Sequence, residues 1–298
     1  MMRILHQLFR SRRASQSMVA LVLSTLMICA PAHADNSPVR GTTFDHRHAL
    51  LTTLLQKHVV SLHEGRVTNV NYATLVKDRA QLKSYLAQLS AVSADEFAKW
   101  SRAQRMAFLI NAYNAFTLEL MVQHYPVKSI KDIGGLLDNR WKRRFIPLLG
   151  RQVSLDEIEH DMLRRPSAYD DLRVHYAVNC ASIGCPALRA EAFYADRLPE
   201  QLEEQAVRFL SDRTRNRVRD GRLEVSMIFK WFREDWERGL AGVDGKAPVS
   251  RTLECYFARY AKLLGDTPSE QAAVAAGQLP LAFLDYDWSI NDTRAVPK

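Results

Sequence analysis

The chain has 298 residues, 47% of them apolar and 25% charged, and a net charge of +8 at pH 7. That is length enough for one large domain or two small ones with a substantial core. Past the first thirty-odd residues it carries no run able to span a bilayer and no internal repeat of roughly 20–50 residues, which excludes a multi-span membrane protein and a repeat array.

Arg3, Arg10, Arg12 and Arg13, with no acidic residue among them, precede the apolar run Met18–Ala30, and Ala32-His33-Ala34 offers small residues where a signal peptidase reads. This pattern predicts a signal peptide over 1–34, cut before Asp35, and a periplasmic or secreted mature chain with no integral membrane span. The four arginines account for half of the net charge. The remaining basic excess fits a solvated surface or attraction to an anionic envelope polymer, and not nucleic acid, which an exported protein does not ordinarily meet. Cys180, Cys185 and Cys255 remain. Three is odd, so at least one thiol is free or bonded to another molecule.

Helical spacing of leucines predicts helices over 44–63 and 72–89, and Ser93 with Glu96 three residues on forms a capping-box pattern for a third. From Arg102 to His124 the chain is apolar nearly all the way round, the pattern of a helix buried on most sides. Its few polar members, Asn111, Asn114, Thr117 and Glu119, then need partners inside the protein. "FIPLLGRQVSL" reads as two short strands turning near Gly150, and Ser154 with Glu157 is a second capping box, opening a helix to Arg165. Alternation predicts a strand over 173–179, followed by a helix from Leu198 to Leu210. Arg213, Arg215, Arg217 and Arg219 alternate before Asp220-Gly221, a hairpin turn, and read as a solvated strand face. Helices are expected over "MIFKWFREDW" and 253–264, and a last strand in "LAFLDYDWSIND". Helices and short strands mix without regular alternation. The predicted class is therefore α+β, mainly helical with a small mixed or antiparallel sheet, an N-terminal helical part (35–100) and a core (101–298) forming one domain.

On a helical wheel Glu159 falls inside the apolar arc of Leu155, Ile158, Met162 and Leu163, with His160 on its flank. A buried carboxylate must find a partner or become neutral, and Arg164, Arg173 and His175 are the candidates. In a regular strand His175 and Cys180 would point apart, so His175 reaches Cys180 only if the strand ends or bulges by Asn179, whereas His160 meets no such obstacle. A thiol hydrolase needs a thiolate, a base and a group to orient the base. Cys180, His160 or His175, and Glu159 supply those types, with Asn111 as an amide donor. A disulfide with Cys185 and an inert core thiol are the other two readings of Cys180. No nucleophile-elbow, zincin, phosphate-loop or paired-CxxC zinc signature is present, and no cofactor or metal is expected.

"FLINAYNAF", "VSLDEIEHDMLR", "RVHYAVNCASIGCPAL" and "IFKWFREDW" resemble, in this order, the motifs of the DUF547 family, a domain of unknown function. The resemblance runs from about 102 to about 236. It implies an exported bacterial member, with Asn111, Tyr113 and Asn114 on the Asn-x-Tyr-Asn motif, Glu159, His160 and Arg164 on the Glu-His and Leu-Arg positions, and His175 and Cys180 on the His and first Cys. The second cysteine is serine in many members, which favours Cys180 as the working thiol. The function expected is a cysteine-dependent hydrolase or acyl transferase acting on amide or ester bonds of a small-molecule or peptide substrate. The alternative is a non-catalytic envelope binding module.

Overall fold

The computed structural model describes residues 43–134, 139–237 and 252–294. The expected signal peptide, 1–34, lies outside the described residues. Helix α1 (Ala49–His58) gives way at the β-branched Val59-Val60 to strand β1 (Val59–Leu62), which pairs antiparallel with β2 (Val67–Val70). The helix expected over 44–63 is thus cut short. The one expected over 72–89 is two: α2 (Tyr72–Leu75), capped by the Asn71 side chain, and α3 (Arg79–Ala91). Helix α4 (Ala94–Lys99) starts at Ser93, whose hydroxyl accepts the Glu96 N–H.

Helix α5 (Arg102–His124) opens on a full capping box between Ser101 and Gln104 and is buried continuously from Met106 to Val122. Each large apolar side chain buried along it contributes about 2 kcal/mol by removal from water. The hairpin β3 (Ile146–Leu148) and β4 (Arg151–Val153) turns at Leu149 and Gly150, both left-handed. A π-helical turn, Glu157–Leu163, follows, anchored by the reciprocal Ser154–Glu157 capping bonds.

Residues 172–176 form a 3-10 turn, not the expected strand. Asp171 caps it, and the carbonyls that a neighbouring strand would have taken are bound by side-chain amides: Ala177 by Asn114 and Tyr176 by Gln205. Helix α6 (Leu198–Leu210) leads to β5 (Arg217–Arg219) and β6 (Arg222–Ser226), joined through left-handed Asp220 and Gly221. Short helices α7 (Met227–Trp231), α8 (Arg233–Glu237), α9 (Leu253–Ala258), α10 (Ala261–Leu264) and α11 (Pro268–Ala275) precede β7 (Leu281–Leu284), which runs parallel to β6. The last strand is shorter than expected, because residues 287–291 leave the sheet to pair with the cysteine loop.

Residues from Thr43 onward form one compact α+β unit. Among the described residues no helix is long and apolar enough to cross a membrane. Two apolar clusters fill the unit, one around α5 and one around Phe209, Phe229, Trp236 and Phe257. Val174 and Ala177 pack in the first and Tyr176 in the second, so the segment that carries His175, Cys180 and Cys185 follows the seam between them.

Candidate active site

A cavity of about 220 Å³ opens at that seam. It is lined by Cys180 and Cys185, by Glu159, His160 and His175, and by Trp141, Trp231 and Trp288.

The cysteine loop is built by hydrogen bonds from distant elements. Asn114 on α5 accepts the Asn179 N–H at 2.9 Å, and the Asn179 side chain in turn accepts the Ala181 N–H and donates to the Pro186 carbonyl. Ala181 sits in the left-handed region (φ 62), an uncommon place for a residue with a Cβ, and turns the chain so that Cys180 and Ser182 face Cys185. From outside, the C-terminal segment closes the loop: the Ile183 and Gly184 N–H groups donate to the Ser289 and Asp287 carbonyls. A methyl on Gly184 would lie 2.8 Å from the Tyr286 ring, so only glycine lets that ring come this close to the loop.

All three cysteines of the described residues are free thiols, so no 180–185 disulfide is formed. The Cys185 sulfur instead gathers donors: the Cys180 N–H at 2.9 Å, the Tyr286 hydroxyl at 3.1 Å and the Ser182 hydroxyl at 3.3 Å. Cys180 Sγ lies 3.3 Å from the Ser182 hydroxyl and 3.4 Å from that of Tyr286. Burial works to raise the Cys185 thiol, but the hydrogen bonds from Cys180, Ser182 and Tyr286 overcome it and bring it down to about 6. Cys180 moves the other way, pushed up by its bond to the Cys185 sulfur and then by burial. The two sulfurs therefore share one proton and one negative charge near neutral pH. Arg215, buried and bonded to Asp212 and to the Ile183 carbonyl, adds a fixed positive charge behind the loop. The alternating arginines are thus not one solvated face: Arg215 points inward, while Arg217 pairs with Glu224.

The Glu159 and His160 part of the lining takes its shape from the π-helical turn. Its extra residue per turn brings both Glu159 and His160 to the cavity, while Ile158 and Leu163 stay buried. Glu159, placed within the apolar arc by its spacing, is half-buried and faces the cavity. Its carboxylate lies beside the Tyr113 hydroxyl, whose pKa is raised by burial and by that carboxylate. The expected cationic partners are used elsewhere: Arg173 pairs with Asp171 and Glu203, and Arg164 with Asp235. His160 bonds Arg164 through Nδ1 and approaches Asp156 at 3.5 Å through Nε2.

His175 donates from Nε2 to Asp235 at 2.9 Å and stacks on Phe232. Burial lowers its pKa, so the ring is neutral at pH 7 despite the carboxylate, and Nδ1 holds no hydrogen bond among the described residues. Asp235 is held down at about 2: burial opposes this, and the bonds from His175 and Arg164 prevail. The acid that orients the histidine is thus Asp235 of α8, which sequence reasoning did not single out although it lies inside "IFKWFREDW". Neither imidazole is hydrogen-bonded to either sulfur. Asn111 stands apart from the cavity, its amide bound on both sides to the Phe193 backbone. Among the described residues no group of three or more His, Cys, Asp or Glu side chains is arranged to hold a metal ion.

Residues 97–210 match the model of the DUF547 family, a protein of unknown function. The DUF547 segment begins in α4 and ends with α6, less than half of the chain. It contains Tyr113, Glu159, His160, His175 and both paired cysteines; Asp235, Tyr286 and Trp288 come from beyond it. No curated protein and no solved structure matches the chain.

Proposed function

We propose that this chain is an exported cysteine-dependent hydrolase or acyl transferase that cleaves amide or ester bonds in a small-molecule or peptide substrate. The observation that carries the reading is the cluster of Cys180 and Cys185 with the Ser182 and Tyr286 hydroxyls in a cavity also lined by the Asp235-oriented imidazole of His175. The charged sulfur attacks the carbonyl carbon, forming a thioester as the C–N or C–O bond breaks. The proton left on the other sulfur passes to the departing amine or alcohol. That sulfur becomes the thiolate, held by the Ser182 and Tyr286 hydroxyls. His175 Nδ1 then takes a proton from water, or from an acceptor alcohol or amine, which attacks the thioester. The proton returns to the released pair. Cys180, less buried than Cys185, is the sulfur nearer to substrate, and the S–H bond to Cys185 delivers charge to it. Glu159 and Tyr113 together offer a carboxylate and a phenol to the substrate's polar groups.

Intact-mass analysis after mixing with an activated ester tests this. One acyl group is expected on the 180–185 pair and none on the Cys180→Ala/Cys185→Ala variant. An unmodified native chain, or hydrolysis undiminished in that variant, would overturn the reading. A second reading, a non-catalytic envelope binding module, is favoured by the packed ring set of Trp141, Trp231, Trp288 and Tyr286 at the cavity, Trp231 being 43% exposed. It predicts that the same double variant binds its ligand unchanged.

A further inference from the structure

A second concavity lies on the other side of the π-helical turn, a groove of about 630 Å³ that shares no lining residue with the thiol cavity. Arg105, Arg151, Arg165 and Tyr169 line it, and Asp161 is the single carboxylate among its lining residues. We propose that this groove binds an oxyanion carrying more than one negative charge, of the class of pyrophosphate or an organic di- or triphosphate.

The guanidinium groups come from separate elements. Arg105 and, nearby, Arg102 belong to the first turn of α5, Arg151 to β4, and Arg165 follows the π-helical turn. Arg102 lies over the Tyr169 ring, 5.8 Å from its centre. Among the described residues neither Arg102, Arg105 nor Arg165 has a carboxylate partner. Arg151 has only a share in Glu157, whose nearer partner at 2.8 Å is Arg144. The Arg105 Nε is fully buried with no hydrogen-bond acceptor. A buried guanidinium N–H left unmatched is costly, and native structures rarely keep one without an occupant for it.

The placement of Arg102 and Arg105 also runs against helix electrostatics. Cations at the positive end of a helix destabilise it, and here two lie in one first turn. An anion in the groove would reverse the sign of that contribution. Tyr169 supplies a neutral donor, because burial pushes its phenol up to about 12 even beside Arg105 and Arg102. Planar guanidinium forks match the paired oxygens of phosphate, and several forks set around one groove match several phosphate charges.

Isothermal titration of the full chain with inorganic pyrophosphate at 0.15 M salt tests the proposal. Saturable binding with one site per chain is expected. Arg165→Ala, at an exposed position, should weaken it at least tenfold, and Arg105→Lys should weaken it less than Arg105→Ala. Arg219→Ala, in the β5–β6 hairpin, should leave it unchanged, as should Cys180→Ala/Cys185→Ala. No saturable binding, binding that survives Arg165→Ala at full strength, or equal loss in Arg219→Ala would overturn it. These outcomes are independent of whether the thiol cavity is catalytic.

Discussion

Asn111 and His175 are both almost fully buried polar side chains, 1% and 3% exposed, yet they stand in opposite situations. On α5 every hydrogen-bonding direction of the Asn111 amide that the packing needs is met by the Phe193 backbone, and Asn114 in the same way pins residues 177–179. At the seam, one edge of His175 is met by Asp235 while the other holds no hydrogen bond among the described residues, in a cavity shared with Glu159, which has no ion-pair partner among them, and with two thiols of opposite pKa shift. Burial with matched partners builds structure. Burial with capacity left over, at the wall of a cavity, is where chemistry can be done.

Substitutions on the two sides should separate these roles. The largest effect is expected from Cys180→Ala/Cys185→Ala: at least a thousandfold loss of activated-ester hydrolysis, about 4 kcal/mol of barrier, with the far-ultraviolet dichroism of the folded chain retained. Asp235→Asn should cost about 3 kcal/mol of stability in urea unfolding, because it leaves the Arg164 charge without its buried counterion. It should also lower turnover by removing the orienter of His175. Asn111→Ala should cost about 2 kcal/mol of stability through two lost buried bonds, yet leave turnover per folded molecule unchanged. If turnover fell in step with stability for Asn111→Ala, the division between the two regions would fail.

The smallest effect is a pH slope. His48 is lowered to about 3 by burial, and His175 is also lowered, so both are neutral when folded while the unfolded chain takes up protons below about 6.5. Their stabilising contribution is whole above that value and lost as pH falls, about 1.4 kcal/mol per unit for each group. Asp235, depressed to about 2, acts in a separate window, its contribution present above the ordinary carboxylate value near 3.8 and lost toward 2. His48→Gln should flatten the slope of the urea midpoint between pH 6 and 4. An unchanged slope would assign the acid sensitivity elsewhere.

How far the sequence was legible follows from the range of the interactions. The all-round apolar helix, the Asp220-Gly221 turn, the strands about Gly150 and the Ser154 capping box are local signals, and each appears in the structure. The strand expected over 173–179 fails because amides from α5 and α6, far off in sequence, bind its carbonyls. The π-helical turn cannot be seen on a wheel drawn at α-helical pitch, and neither can the Tyr113 hydroxyl that meets Glu159 from another helix. Tyr286 joins the sulfurs from about a hundred residues away, and its only local trace is the glycine between the two cysteines that makes room for its ring. Asp235 was in plain view, but Glu234 stands beside it, and only packing decides which of the two acids is buried against His175.

The shared charge of the thiol pair can be measured directly, by the pH dependence of iodoacetamide labelling in the folded chain with sites assigned by mass spectrometry. The 180–185 pair is expected to label with a midpoint near 6 and to outpace the exposed Cys255 at pH 6.5, and Gly184→Ala, which displaces Tyr286, should move that midpoint up. A rate that rises only through about pH 8.5, as for an unassisted thiol, or a pair no faster than Cys255, would contradict it.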